Sequence, residues 1–593
     1  MSNLTPHTDG RLQFADQGDI DLFVSTLESY ERGELTPDQW RSFRLLHGVY
    51  GQRQEGQQML RIKLPMGQAS SPQLRSLAVL AETHASGRAH ITTRQNFQFY
   101  GIALAKAPEA MTLCAEAGIT TREACGHSVR NVTSNPLAGV CPSEPFDVTP
   151  YADALVRHFL RGPLSSSLPR KFKIAFEGSV RDAMRGPIHD LAFFARLQGG
   201  KRGFRVLAGG GTSTLARSAQ ELVSFVEVGE MLGLSDAVLR VFHREGERGN
   251  KQKARMKWLV KSLGWEVFKA RVLEEWTLVK AEGAARLPFE PEAPPVETIT
   301  PGREGPVGFV VSGEHVEAFE AWRRTNVVAQ KQEGLFAATV TVPLGDLSPL
   351  QLRGLADLAE HFSDGTVRTT IDQNLLFRHL RPSALGPLHS ALLELSLGKS
   401  GAGSFADVTT CAGAHTCAIA VTASRGMAEL LSNHLANHAV SRGEAQGFSD
   451  ASLKVSGCPN GCGQHHVASF GLQGGMRKIG GRPLPLYQLT IGGGTLADAH
   501  GAPAGSRFGR LVGKLPARRV PEALDRVLSL WERERTTGEK LEEFLARVPV
   551  DAVKKAIGEL FAIDEASATE ADFIDPGQTV AFSVSEGEAE CAA

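Results

Sequence analysis

Apolar residues recur along this chain in two patterns that follow one another in order. Short segments alternate apolar and polar positions and end at a Pro-x-Gly triplet, which predicts a strand followed by a turn. An amphipathic helix is predicted next, from apolar positions at helical spacing: Leu74, Leu77, Leu80 and Ala81. Gly87 ends this helix, and a second strand that contains Thr and Gln is predicted after it.

The same order of elements occurs twice. The segment QLRSLAVLAETHASGRAHITTRQNFQF, which starts at Gln73, aligns without gaps with QLRGLADLAEHFSDGTVRTTIDQNLLF, which starts at Gln351, and 13 of 27 positions are identical. FRVLAGGGT, ending at Thr212, and YQLTIGGGT, ending at Thr495, extend the likeness. A long segment present twice indicates a duplication rather than a solenoid, which needs several short repeats. The groove between two like halves is a natural ligand site.

The two copies differ in the residues that carry chemistry. Arg94 of the first copy becomes Asp372 in the second, whereas Lys173 and Lys454 match. The segment SVRNVTSNPLAGVC of the first copy takes the place of the cysteine-containing ADVTTCAGAHTC in the second, and LPRKFKIAFEG lies opposite ASLKVSGCPNGC. We therefore expect one half to bind an anion and the other half to bind a metal cluster.

Composition narrows the possible partners. The chain has 593 residues, too many for one hydrophobic core, so at least two domains are expected. A formal net charge of −1 gives no reason to expect nucleic acid or an anionic membrane as a partner. No apolar run approaches the length of a membrane span and no signal peptide is visible, so we expect a cytoplasmic protein.

Four of the eight cysteines form two close pairs, C-x5-C and C-x3-C: Cys411, Cys417, Cys458 and Cys462. Four thiolates from two loops suit either an iron–sulfur cluster or a zinc ion. Zinc ribbons favour two C-x2-C knuckles, which this spacing does not match, so an iron–sulfur cluster is favoured. A zinc-stapled binding protein without redox chemistry is the alternative from a different functional class.

The first copy also carries a set of cations: Arg61, Lys63, Arg94, Arg130, Lys171 and Lys173. Each one alone is more often a solvated surface charge. Arg61 and Lys63 alternate along a predicted strand and project from one face, as do Lys171 and Lys173. Together they predict a pocket for a small dianion or for carboxylates.

Two other charged segments have less specific interpretations. RGNKQKARMKWLVKSLG (248–264) is most simply a solvated basic helix, and the alternative is a cradle for a polyanionic cofactor. After Lys555 no Lys or Arg occurs, and acidic residues follow: Asp564, Glu565, Glu570, Asp572, Asp575, Glu586, Glu588 and Glu590. We expect this acidic tail to be solvated and partly disordered, with partner docking as the alternative.

The cysteine pattern, with KVSGCPNGCG as its second part, resembles that of the sirohaem-dependent sulfite and nitrite reductases. ITTRQNFQFYGI, VRNVTSNPLAG and LPRKFK match other signatures of that family, and the match runs from about Arg53 to the region of Val527. The resemblance implies an α+β fold in which two ferredoxin-like halves form one shared β-domain beside two related α/β domains. The expected segments are an N-terminal segment (1–50), a ferredoxin-like half and an α/β domain in copy one (51–120 and 121–290), the same pair in copy two (325–400 and 401–535), and a helical region with the acidic tail (536–593).

The resemblance also implies site residues. Cys411, Cys417, Cys458 and Cys462 would hold a [4Fe–4S] cluster, and Cys462 would also ligate the sirohaem iron. The substrate side would be lined by Arg61, Arg130, Lys171 and Lys173. Contacts to the cofactor are expected from Thr92, Arg94, Gln95, Lys63 and Asn131. The position of His90 is arginine in some sulfite reductases, so this chain departs from the family there.

The implied reaction is the six-electron reduction of sulfite to sulfide, and reduction of nitrite to ammonia is the alternative. Family members specialised for nitrite tend to carry Asn where this chain has Lys173, which favours sulfite, whereas NPLAG is a run typical of nitrite reductases. A cobalamin-pathway relative is a third possibility, against which the LPRKFK lysines argue. No flavin- or nicotinamide-binding module is visible, so a ferredoxin or a flavoprotein reductase is the expected electron donor.

Overall fold

The computed structural model describes residues 12–297, 299–311, 313, 315–442, 451–497 and 503–584, with the backbone alone for 437–442. This part of the chain contains four five-stranded sheets and one two-stranded sheet, with helices packed against them. The mixture of helices and sheets, repeated in two halves, confirms the predicted α+β class. Among the described helices, none combines the length and the apolar character that a membrane crossing requires.

The first half comprises a ferredoxin-like unit and an α/β domain. The unit, with the two helices that precede it, consists of α1 (Gln17–Glu31), α2 (Pro37–Leu46), β1 (Val49–Gly51), β2 (Gln57–Arg61), β3 (Gln68–Ser70), α3 (Ser71–Thr83), β4 (Ala89–Ile91), β5 (Phe97–Ala103) and α4 (Ala107–Glu116). The α/β domain consists of β6 (Thr133–Ser134), α5 (Thr149–Phe159), β7 (Ile174–Glu177), β8 (Leu191–Gln198), β9 (Lys201–Ala208), β10 (Gln220–Glu227), α6 (Met231–Glu245), α7 (Met256–Leu263) and α8 (Trp265–Ala281).

The second half repeats this plan. Its ferredoxin-like unit consists of α9 (His315–Asn326), β11 (Val327–Ala329), β12 (Phe336–Val340), β13 (Asp346–Leu347), α10 (Pro349–Phe362), β14 (Thr366–Thr369), β15 (Leu375–Leu380) and α11 (Leu385–Glu394). Its α/β domain consists of β16 (Thr409–Thr410), α12 (Ser424–Arg442), β17 (Leu453–Ser456), β18 (Phe470–Ile479), β19 (Arg482–Ile491), β20 (Gly494–Ala497), β21 (Pro503–Arg507), β22 (Arg510–Pro516) and α13 (Val520–Glu534). Two short helices follow, α14 (Leu541–Arg547) and α15 (Val550–Ile557).

The predicted helix is α3, and its duplicate is α10. The four apolar residues that predicted α3 are fully buried. Both helices begin with the same capping box, in which a serine and a glutamine three residues later satisfy each other's backbone N–H groups: Ser70 with Gln73, and Ser348 with Gln351. The two helices pack against each other, which places equivalent elements side by side.

The two halves exchange a strand. β3 of the first half pairs with β14 of the second, with Ser70 opposite Thr366, and β13 of the second half pairs with β4 of the first, with Asp346 opposite His90. Each ferredoxin-like sheet therefore takes its last strand from the other copy. This exchange explains why the two halves form one shared β-domain.

A turn with a left-handed backbone precedes each exchanged strand. Gly67 and Gly345 both have φ +71, and in each case a Cβ atom would collide with the other half. At Gly67 it would lie 2.6 Å from Oγ1 of Thr369, and at Gly345 it would lie 2.9 Å from the carbonyl oxygen of Ile91. Only glycine combines this φ with so close an approach, which accounts for the Pro-x-Gly triplet of the sequence.

The predicted strand with Thr and Gln is wrong in one detail. β4 ends at Ile91 and β5 begins at Phe97, so residues 92–96 form the turn between them. Gln95 has φ +57 within this turn. Arg94 is consequently presented from a turn and not from a strand.

The two α/β domains use opposite ends of equivalent strands. β6, β7 and β8 run parallel to one another, as do β16, β17 and β18. Lys171 and Lys173 come before β7, whereas Cys458 and Cys462 come after β17. Both sets of side chains reach the centre of the molecule, between the two domains.

The acidic tail differs from the expectation as far as residue 584. Residues 563–582 pack on the second α/β domain, where Phe573 and Leu484 share a small apolar cluster. Asp572 and Asp575 are buried. The expected solvation is therefore wrong for Asp572 and Asp575, whereas Asp564, Glu565 and Glu570 are exposed as expected. Glu586, Glu588 and Glu590 lie outside the described residues.

Candidate active site

A cavity of about 200 Å³ lies where the two halves meet and opens to solvent. It is lined by most of the residues that the sequence singled out: Arg61, Thr92, Arg94, Arg130, Asn131, Lys171, Lys173, Cys411, Cys417, Cys458 and Cys462. The first half supplies the cations and the second half supplies the thiols. The structure thus brings the two chemically distinct loop sets of the duplication to one place.

The arginines of the cavity are held by backbone carbonyl groups. Arg130 donates to the carbonyl oxygens of Gly126, at 2.8 Å from Nη2, and Ala124, at 3.2 Å from Nη1. Arg61 donates to the same Ala124 oxygen at 3.5 Å. A carbonyl group orients a guanidinium without neutralising it, so the positive charge remains available to an anion.

Arg94 is tied to the first α/β domain in the same way. Its Nη2 donates to the carbonyl oxygens of Asn131 and, at 3.2 Å, of Ile174. Its Nε atom is buried and has no hydrogen-bond partner among the described residues. Burial, together with the neighbouring Arg130 and Arg255, lowers the pKa of Arg94 to about 9. The guanidinium therefore lacks an acceptor that a bound anion would supply.

Lys173 is a cavity cation whose nearest charged neighbours are mostly other cations. The described residues offer its Nζ atom no hydrogen-bond or ion-pair partner, although its backbone N–H donates to Asp190 at 2.9 Å. Burial and the neighbouring cations Arg255, Arg94 and Lys171 hold the pKa of Lys173 well below its usual value. An anion in the cavity would remove that penalty.

Two further buried cations, Arg255 and Lys257, lie close to these cavity residues. Arg255 forms an ion pair with Asp190 at 2.8 Å, and Lys257 donates to the carbonyl oxygen of Thr212. Burial and Arg255 lower the pKa of Lys257 to about 7. Both residues belong to the basic stretch 248–264, so the solvated-helix interpretation is wrong for them, although it holds for the exposed Lys253. The sequence signal was present, but it did not show which side faces inward.

The four cysteines come from loops around β16 and β17. Cys411 Sγ accepts from the backbone N–H of Gly457 at 3.3 Å and lies 3.3 Å from Ser424 Oγ. Burial raises the pKa of the Cys411 and Cys458 thiols, and the nearby Cys462 adds to the effect. These thiols need a strong cation to ionise them, which a metal cluster provides. Across the cavity, Thr93 Oγ1 donates to the Cys462 carbonyl oxygen at 2.9 Å.

Two predicted site residues lie outside the cavity lining. Gln95 is fully buried, and its Nε2 bridges the halves by donating to the Thr369 carbonyl oxygen at 2.7 Å. Lys63 does not share the cavity with Arg61; its Nζ lies 3.6 Å from Glu123 Oε2, and both side chains are buried. β2 ends at Arg61, so the strand alternation assumed for Lys63 does not extend that far.

The cavity also contains residues that sequence reasoning missed. Gln98 and Tyr100 alternate with the buried Phe97 and Phe99 along β5, a period-two pattern that could have placed them on the cavity face. His90 lines the same wall, and its Nδ1 lies 2.9 Å from Asp346 Oδ1 of the exchanged strand β13. Only the strand exchange brings that carboxylate to His90.

Comparison with known proteins assigns the chain to a family. The family profile described as "Nitrite and sulphite reductase 4Fe-4S domain" matches residues 125–280 and 402–564. The profile described as "Nitrite/Sulfite reductase ferredoxin-like half domain" matches residues 50–117 and 328–395. The chain belongs to the nitrite and sulphite reductase family. It is an oxidoreductase, and the family's 4Fe-4S domain sets aside the structural-zinc alternative.

Individual relatives carry both substrate names. The chain is 30% identical over 503 residues to the chloroplastic ferredoxin–nitrite reductase of Zea mays, covering 82% of each protein. It is 31% identical to the ferredoxin–nitrite reductase of Synechococcus elongatus, covering 75% of this chain and 81% of the relative. It is 28% identical to the sulfite reductase [ferredoxin] of Mycobacterium tuberculosis, covering 84% and 83%. The solved NirA protein of M. tuberculosis superposes with a TM-score of 0.73 at 25% identity, covering 90% of this chain and 97% of that one.

The residues present fit the cofactors of this family, sirohaem and a [4Fe–4S] cluster. On the cation side, the buried Arg94 Nε has no hydrogen-bond partner among the described residues, and Lys173 is surrounded by other cations, as expected of groups that receive carboxylates or a small anion. On the thiol side, four cysteines face the cavity, while no three His, Cys, Asp or Glu side chains in the described ranges converge on one ion. The cavity therefore presents cations for a polycarboxylate and four thiols for a metal cluster.

Proposed function

We propose that this chain is a sulfite reductase that reduces sulfite to sulfide with six electrons. The observation that carries the proposal is that Lys173 has no ion-pair partner among the described residues and lies in a cavity that also contains Arg61 and Arg130. Sulfite carries more negative charge than nitrite, so it gains more from an additional cation. The proposal assigns Cys411, Cys417, Cys458 and Cys462 to the cluster, with Cys462 shared with the sirohaem iron.

The bound cofactors would supply the electrons, and the residues of this chain would bind the substrate and supply protons. Arg61 and Arg130 would hold substrate oxygens with guanidinium groups that are already oriented by the Ala124 carbonyl oxygen. Binding of an anion raises the pKa of a lysine that burial has lowered. Substrate binding would therefore charge Lys173, and its ammonium group would donate one of the two protons that each oxygen needs to leave as water.

The electron donor is proposed to be a ferredoxin. The relatives from Zea mays, Synechococcus elongatus and Mycobacterium tuberculosis all carry ferredoxin in their names. A flavoprotein reductase stays the alternative. The cytoplasmic location and the six predicted segments also stay predictions.

Nitrite reduction is the second candidate, because several of the relatives are named nitrite reductases at 29–31% identity. The deciding experiment is steady-state turnover of the purified holoenzyme with sulfite and with nitrite, using a reduced viologen dye so that the donor does not enter the comparison. We expect a higher kcat/KM for sulfite. A higher kcat/KM for nitrite would overturn the proposal and leave the family assignment intact.

A further inference from the structure

The C-terminal strap, residues 563–582, contacts the loop that carries two of the four cysteines. Asp575 Oδ2 accepts from the backbone N–H of Ala423 at 2.5 Å. Ala423 comes just before α12, and the next residue, Ser424, donates from its Oγ to the Cys411 carbonyl oxygen at 3.0 Å. The strap is therefore only two hydrogen bonds away from a cysteine.

The fit between strap and loop is close along several residues. A Cβ atom at Gly426 would lie 2.0 Å from the carbonyl oxygen of Pro576, and one at Gly577 would lie 2.7 Å from the Gly426 Cα. Gln578 Nε2 lies 2.9 Å from His415 Nε2, on the stretch between Cys411 and Cys417. Such backbone-to-backbone contact fixes the loop more tightly than exposed side-chain contacts could.

Asp575 is an unusual carboxylate. Its side chain is 2% exposed, and its Oδ1 atom has no hydrogen-bond partner among the described residues. The described part of the chain places no cation against it, and burial raises its pKa to about 6. At pH 8 the group is therefore a buried negative charge at the start of α12, where the helix dipole favours an anion. A buried charge without a counter-ion is costly, which points to a role beyond packing.

A second anchor lies just after the loop, and its charge is balanced by a carboxylate. Arg425, in the first turn of α12, forms an ion pair with Asp346 of the exchanged strand β13. That contact joins the loop to the shared β-domain, whereas Asp575 joins it to the C-terminal strap. The two anchors hold Ala423 and Arg425, which are two positions apart, from different parts of the fold, and only the anchor from the strap adds net charge.

We propose that Asp575 is a positioning residue of the [4Fe–4S] site: it holds the cysteine loop through Ala423 and places a negative charge against that loop, which would lower the reduction potential of a bound cluster. The proposal rests on the family's cofactor and not on the choice between sulfite and nitrite. A negative charge in a low-dielectric interior disfavours the more reduced, more negative cluster.

Three variants of the holoenzyme distinguish the effect of the hydrogen bond to Ala423 from the effect of the negative charge on Asp575. Asp575→Asn keeps an acceptor for Ala423 and removes the charge, whereas Asp575→Ala removes both. Asp572→Asn is the matched control, because Asp572 is also buried in the strap, but its carboxylate bonds to no described residue other than Thr569. The readouts, at pH 8, are the midpoint potential of the cluster by EPR-monitored titration, iron loss to a chelator, and hydrogen exchange of residues 418–426.

We expect Asp575→Asn to retain iron at the wild-type rate and to have a more positive cluster potential. Asp575→Ala should have the same direction of shift in potential, iron loss that is several-fold faster, and faster exchange over 418–426. Asp572→Asn should match the wild type in all three. An unchanged potential in both Asp575 variants, or unchanged iron loss in Asp575→Ala, would overturn the proposal. None of these readouts uses a substrate, so they remain valid if nitrite proves to be the preferred anion.

Discussion

Lys173 and Lys454 hold matching positions in the two halves, but among the described residues only Lys454 has a carboxylate partner, with its Nζ 2.6 Å from Asp372 Oδ1. Where the second half has Asp372, the first half has Arg94. Although burial opposes it, Arg185 and Lys454 lower the pKa of Asp372. In the second half, Asp372 thus takes the place that an anion would have beside Lys454. In the first half, no described carboxylate takes that place, so the position beside Lys173 is open to a bound anion.

The open position predicts how Lys173 sets the substrate preference. Replacing Lys173 by Asn removes one charged hydrogen bond to the substrate, worth about 1.5–3 kcal/mol. We expect the ratio of kcat/KM for sulfite to that for nitrite to fall by about tenfold or more. Lys253→Asn, which removes an exposed lysine from the same domain, should leave the ratio unchanged. If the ratio of kcat/KM for sulfite to that for nitrite were the same in Lys173→Asn and the wild type, Lys173 would not contribute to the discrimination between the two anions.

The buried pair of Lys63 and Glu123 predicts a stability effect. Lys63→Met leaves Glu123 buried without its cation, which costs about 3–5 kcal/mol. We expect a clearly lower Tm, with partial recovery in the double variant Lys63→Met/Glu123→Gln. Because Glu123 lies next to Ala124, which orients Arg130, the KM for the anion should also rise in the single variant. The matched control is Lys106→Met, since Lys106 pairs with Glu109 on the surface.

Glu177 predicts part of the pH dependence of stability. Burial, with Asp182 nearby, raises the pKa of this carboxyl to about 7 from an ordinary 4.5. The folded state therefore binds the proton more tightly than the unfolded state, so this contribution is complete below pH 4.5 and is lost as the pH rises to about 7. The loss amounts to about 3 kcal/mol.

Unfolding of Glu177→Gln across pH 4.5 to 7 tests this assignment. The variant carries a neutral side chain of the same shape, so it should lose less stability over this interval than the wild type. Glu55→Gln, at an exposed position, serves as the control. Parallel stability curves for Glu177→Gln and the wild type would mean that another group titrates.

The sequence allowed the local features of this fold to be predicted, because they depend on neighbouring residues. Leucine spacing predicted α3, and the Pro-x-Gly triplet predicted the turn at Gly67. The strand exchange depends on contacts between residues about 280 positions apart, such as Asp346 with His90, and no local pattern encodes it. For the same reason, the burial of Asp575 in the acidic segment could not be foreseen: the loop that covers it lies some 150 residues earlier.

The candidate site divides in a similar way. The cysteine spacing indicated the four thiols, and the comparison of the two copies indicated the cations, most of which line the cavity. Lys63 was misplaced, because a strand was assumed to continue past Arg61 and the acid that binds Lys63 follows a distant turn. Lys257 was identified only as part of a basic stretch, since one sequence does not tell which side of a short helix faces inward.

We propose that the first half of the chain binds the sirohaem carboxylates and that the second half binds the cluster. The most direct test is the sirohaem absorbance and iron content of purified Arg94→Asp, which gives Lys173 the internal partner that Lys454 has. Lys253→Asp, which places a carboxylate at an exposed position of the first α/β domain, is the control. We expect Arg94→Asp to lose most of its sirohaem and to retain about four irons per chain, with the EPR signal of a reduced cluster. Wild-type sirohaem content in Arg94→Asp, or loss of the cluster together with the sirohaem, would contradict this proposal.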